Sequence, residues 1–196
     1  HPEGSGSYSA TSGTKVIKFR LSSDSWLDPS TFRVMFNVVN DERDGGNNKL
    51  RPLGDVHAFF QRMRISIRGI VIEDIADFNR VSHMFSVLQS KGSRVNERCE
   101  GFGYHDDIDS LDKVDLLVGI DTHQTVMFKP LSVFFSQKKF VPLKDCPIDI
   151  ELELVSDSHE PIVSMVVGTE FTAENTSYKW KLENFMVKTD VCVSDS

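Results

Sequence analysis

The sequence predicts an all-β protein, an antiparallel β-sandwich with one inserted α-helix, and three observations carry that prediction. Ile148, Ile150, Leu152 and Leu154 alternate without error with Asp149, Glu151 and Glu153, the period of a strand with one buried and one wet face. Turn signals recur about every ten residues, the spacing of short strands in a sandwich. Helical spacing occurs in one convincing stretch, at Phe78, Val81, Phe85 and Leu88, so helices cannot form the framework.

A chain of 196 residues suits one domain and can bury a real core. No run approaches the roughly 20 apolar residues that span a bilayer. The opening His1-Pro2-Glu3-Gly4-Ser5-Gly6-Ser7 has neither a charged nor an apolar leader region. Residues 1–14 are therefore expected to be a flexible arm, native or appended, and residues 15–196 a single domain. The net charge of −7 argues against a coat laid directly on nucleic acid, which needs a basic surface. Cys99, Cys146 and Cys192 are odd in number and far apart, which suits reduced thiols in a protein that is not secreted.

In chain order, Lys15 to Leu21 alternates as a first strand, and Asp28-Pro29 marks a turn with Trp26 packed under it. Thr31 to Val39 is a second strand, with Phe32, Val34, Phe36 and Val38 on one face. Residues 40–52 read as a polar loop around Asp44-Gly45-Gly46. Asp55 to Phe60 allows one helical turn. From Arg62 to Gly69, Met63, Ile65 and Ile67 alternate with Arg62, Arg64 and Arg68. These arginines either grip a partner's carboxylates or phosphate, or form a solvated face paired with Glu151 and Glu153. Gly69 permits a bend or bulge, after which the strand continues to Asp74. Asp74 to Ser90 is the helix, capped by Asp74 or Asp77 and stopped at Lys91-Gly92, with its Phe/Met stripe in the core. Residues 92–113 are polar and irregular. Val114 to Val118 and Thr125 to Phe128 are strands, and so is Ile162 to Val167. Tyr178 to Val193 changes phase between Leu182 and Phe185, which places a bulge at Glu183-Asn184. Eight or more strands in two sheets with one helix fit jelly-roll topology.

The stretch from Met127 to Val155 has a more particular order. A strand ends at Lys129-Pro130, where the proline lacks the N–H for a ladder. Then come Leu131, Phe134 and Phe135, then Pro142-Leu143, then the alternating strand from Ile148. This order resembles the double jelly-roll major capsid proteins of large double-stranded DNA viruses and Polinton-like elements. The resemblance implies that Pro130, Leu131, Phe134, Phe135, Pro142 and Leu143 brace the barrel, and that the protein is structural. It also implies homotrimers that build a capsid lattice with copies of themselves and other capsid proteins. Location in the virion, after assembly in host cytoplasm or nucleus, follows from the same likeness. The family crosses into a second roll after a strand like Tyr178–Val193, whereas this sequence stops at Ser196. The expectation is a first half or a single-roll relative.

Signs of chemistry are sparse. Asp107, Asp109 and Asp112 invite a calcium site, but the glycine and bidentate glutamate of an EF-hand loop are missing. His57, His83, His105, His123 and His159 show no zinc spacing, and no nucleophile elbow or phosphate loop occurs. Glu151 and Glu153 share a strand face, as a glycosidase pair would, but alternation alone puts them there. The expectation is no enzyme, no cofactor, no direct nucleic-acid contact and no membrane span. The alternative is a non-catalytic, lectin-like β-sandwich binding module that uses Trp26, Tyr104 and the aspartates.

Overall fold

The computed structural model describes residues 2–3, 6–9, 11, 13–41, 48–52, 56–90, 118–119, 121–156, 161–166 and 179–193. Two four-stranded antiparallel sheets form the framework. The first has the order β1 (Ser7–Tyr8), β12 (Trp180–Lys188), β4 (Arg33–Asn40), β8 (His123–Phe128). The second runs β2 (Val16–Leu21), β10 (Ile148–Leu154), β6 (Phe60–Ile67), β7 (Ile70–Ala76). Two smaller ladders flank them. One pairs β5 (Asn48–Pro52) with β11 (Ile162–Val166), and the other places β3 (Trp26–Leu27) between β9 (Val141–Pro142) and β13 (Val191–Cys192).

Numbered along the chain, the eight framework strands pair first with eighth, second with seventh, third with sixth and fourth with fifth. The eighth also pairs with the third and the seventh with the fourth. A long antiparallel hairpin rolled into two sheets gives this order, and it is the jelly roll.

The core follows from alternation. Val34, Phe36 and Val38 of β4, Ile148, Ile150, Leu152 and Leu154 of β10, and Ile17 and Phe19 of β2 all point inward and are buried. Phe36 sits at the centre, stacked on Phe185 at 4.7 Å and edge-on to Phe59, Phe60 and Phe128. Each such ring contributes about 1.5–3 kcal/mol by leaving water. In β12 the register shifts between Glu183 and Met186, with Asn184 at φ 55°. The bulge lies where the phase change in the sequence puts it, so Leu182 and Phe185 both reach the core.

Several expectations need correction. Ser7 and Tyr8, assigned to a flexible arm, form the first strand of the roll; Tyr8 is buried edge-on to Phe185 at 5.5 Å. Residues 48–52 are a strand rather than loop. Arg68-Gly69 is a two-residue hairpin turn, both residues having positive φ (51° and 78°), so β7 runs back along β6 instead of continuing it. That is the geometry of a tight primed turn. Trp26 is 42% exposed, because Leu27 takes the inward position in β3. The last long strand ends at Lys188 rather than Val193: Asp190 N–H donates to Thr31 Oγ1 (2.8 Å), turning the chain onto β3, and Val191 and Val193 are exposed.

The helix α1 spans Phe78–Leu88, four residues later at its start than the sequence suggests. Asp74 stays in β7, held there by Arg62. Asp77 takes a left-handed conformation with no side-chain cap bond. Only Phe78 and Ser82 of the helix are buried, whereas Met84, Phe85, Val87 and Leu88 are exposed. The apolar stripe thus lies largely outside the core of the chain. The predicted stop at Lys91-Gly92 and the loop 92–113 lie outside the described residues.

Candidate functional site

The segment expected to brace the barrel lies where β8 gives way to β9. Pro130 is buried and Leu131 half-buried, ending the ladder as a proline must. Ser132 is buried, and its hydroxyl accepts from Phe135 N–H (3.2 Å) while Ser136 Oγ donates to Ser132 O (2.6 Å). These bonds close a single 3-10 turn, Phe134–Ser136, too short to persist alone. Phe135 is fully buried and lies flat on Phe32, with ring centroids 3.9 Å apart and planes 4° from parallel. Phe134 is half-buried and edge-on to Phe135 at 5.3 Å.

Glu73 of β7 anchors this turn. Its carboxylate accepts from Ser132 Oγ (2.6 Å), Val133 N–H (3.0 Å) and Phe134 N–H (3.2 Å). Charge-assisted bonds to otherwise unpaired turn amides are among the stronger polar contacts a protein makes. Neither Glu73 nor Phe32 stands out as part of a brace in the sequence. Pro142 and Leu143 do not join the plug's own turn. They dock instead on β3, where Pro142 lies opposite Trp26 and Leu143 N–H donates to Ser25 O (3.1 Å).

The second cluster is the outer face of the β2-β10-β6-β7 sheet. Register lines up Lys18, Glu151, Arg64 and Asp74 in one row across all four strands. Lys18 Nζ pairs with Glu151 Oε1 (2.6 Å), and Arg64 reaches Glu151 (3.5 Å) and Asp74 (3.4 Å). Arg62 gives Nε and Nη2 to the two carboxylate oxygens of Asp74 (2.7 and 2.6 Å). That forked bond holds the Asp74 carboxyl below the usual carboxylate range, and Glu151 raises the Lys18 ammonium. A depression of about 140 Å³ sits here, lined by Val16, Arg62, Arg64, Glu151 and Glu153. Of the three candidate interface arginines, Arg62 and Arg64 share this face, but Arg68 occupies the hairpin turn because its φ is positive.

Because cations and anions alternate on this face, it is poorly suited to hold a polyanion. Asp107, Asp109 and Asp112 lie outside the described residues. Among the described residues, no group of three or more His, Cys, Asp or Glu side chains is placed to hold a metal. No helix among them is long and apolar enough to cross a membrane. His57 is buried against the rings of Phe78 and Phe128.

No family model matches the chain, and no curated protein matches it. Among solved structures, a chain of the Sputnik virophage, determined by cryo-EM at 3.5 Å, is similar with a TM-score of 0.46 and 10% identity. The match covers 94% of this chain and 45% of that one, so this chain spans less than half of that chain's length.

Proposed function

We propose that this chain is a structural, non-enzymatic building block of a viral-type capsid. It self-associates into trimers, which build a shell with further copies and other capsid proteins in the virion. A fold alone does not assign a function. The observation that carries this reading is the segment 127–155, whose residue order resembles double jelly-roll capsid proteins. It folds as strand, latched aromatic turn and strand between the sixth and seventh strands of a jelly roll. The exposed apolar residues of α1 and of the β6–β7 hairpin, among them Leu88 (76% exposed) and Ile70 (71%), support it further. Subunits that assemble must bury such surface against copies of themselves.

The test is native mass by light scattering over a concentration series. A capsid subunit gives a species of three times 22.1 kDa or larger closed assemblies. A strict monomer at every concentration overturns the assembly reading and favours the binding module, which a glycan panel then examines.

A further inference from the structure

We infer that the outer face of the β2-β10-β6-β7 sheet is a self-complementary contact that pairs two copies of this chain across a two-fold axis parallel to the strands. The inference rests on the self-assembly reading and names a surface for it. Across the sheet the central row reads Lys18, Glu151, Arg64, Asp74, in charge plus, minus, plus, minus. The row two residues along reads Val16, Glu153, Arg62, Ala76, in charge neutral, minus, plus, neutral. Both rows change sign when read backwards; the next row, Arg20, Asp149, Ser66, Val71, does not, so the complementarity is confined to the two rows around the depression.

A two-fold axis along the strands, midway between β10 and β6, reads each row backwards in the facing copy. Lys18 then meets Asp74 of the second copy, Glu151 meets Arg64, Glu153 meets Arg62, and Val16 meets Ala76. Strands in the two sheets stay aligned, as in ordinary face-to-face sheet packing. An axis across the strands would instead set each stripe on itself, like charge on like, which costs several kcal/mol. The charges of these two rows therefore favour a second copy in this orientation.

The monomer leaves room for this contact. Arg62 lies opposite Glu153 in register but gives its fork to Asp74, so Glu153 stays half-exposed beside the depression that the proposed axis crosses. The side chains of Lys18, Glu151, Arg62, Arg64 and Asp74 keep between 27% and 53% of their surface in solvent. A mate can add opposite charges through a wet interface without stranding a dry ion.

Sedimentation equilibrium of the full chain at low and high salt tests the inference. The wild type should form dimers, or pairs of trimers, that dissociate as salt rises. Glu153→Lys should weaken that pairing roughly tenfold. The exchange Glu153→Arg with Arg62→Glu keeps the facing pair and should return it to within about threefold of wild type. Pairing that Glu153→Lys and salt leave unchanged overturns the face, while single trimers in the same runs keep the capsid reading standing. A wild type that stays monomeric to about 1 mM overturns both.

Discussion

Phe135 and Phe134 are neighbours of the same type with different burdens. Phe135 is wholly enclosed and stacked flat on Phe32, and Phe134 only leans on it from the half-exposed side. Truncating Phe135 to Ala leaves a ring-sized hole in a site held by Glu73 of β7 and by the 3-10 turn Pro29–Thr31, which the Asp28 side chain caps by accepting from Ser30 N–H (2.9 Å), so it should cost about 3–5 kcal/mol. Phe134→Ala should cost roughly half as much or less, since water already reaches part of its ring. Chemical denaturation of both variants checks the order; equal losses would mean that the brace depends on the pair as a unit. Asp74 gives a prediction in pH. Its folded pKa lies below the ordinary value because Arg62 donates two bonds to the carboxylate, so its contribution is fully present above the unfolded pKa. As pH falls below about 4 the unfolded chain takes the proton first, and the contribution fades as pH passes through the folded value. The gap in Tm between wild type and Asp74→Asn should be constant near neutrality and shrink in acid. A gap that widens in acid would reject the assigned pairing.

At the scale of elements, legibility depended on whether the signal was local. The ladder at β10 was plain in the sequence because one strand has a continuous buried face, and the β12 bulge because Leu182 and Phe185 differ in phase. The helix was visible but misplaced at its start: the expected first residue, Asp74, lies in β7, where Arg62 and Arg64 hold it in the sheet. Nothing near Asp74 in the chain announces partners ten and twelve residues earlier. The hairpin at Arg68-Gly69 escaped because arginine is an unusual occupant of a positive-φ turn position, where asparagine or aspartate is the usual sign. The aromatic turn at Phe134-Phe135 was legible, but Pro142 and Leu143 lie apart from it on β3, and the contacts that anchor the turn left no sign in the sequence. Glu73 reaches the turn from 59 residues away in sequence, and Phe32 reaches it from the residue just before β4. Such long-range contacts leave no periodic trace. The charged face was half-legible: alternation gave the acidic and basic stripes, and only the register between strands showed that they form rows.

At the scale of the whole molecule, the jelly roll is closed by its first and last strands, and that closure is thin. β1 supplies two residues, Ser7 and Tyr8, paired with Glu183 and Leu182 of β12, directly beside the bulge. Glycines and serines around them give the segment little tendency to order alone, so its place depends on the tertiary contacts of Tyr8. That side chain is 2% exposed and covers Phe185, the ring stacked on Phe36 at the centre of the core. Burial also pushes the Tyr8 phenol pKa up, as expected of a hydroxyl taken out of water. Removing residues 1–9 should therefore uncover Phe185 and one edge of the β1-β12-β4-β8 sheet, and it also frees the Lys18 carbonyl of β2, which accepts from Glu3 N–H (2.8 Å). The expected loss is about 2–3 kcal/mol, which for a chain of this length is a fall in Tm of roughly 5–10 °C. Tyr8→Ala in the intact chain should reproduce most of that fall, because the ring and not the two-residue ladder provides the stabilisation. If the truncation melts as wild type does, the roll is closed by β12 alone and the opening residues are dispensable. If the truncation is destabilised but Tyr8→Ala is not, the backbone pairing is what seals the edge.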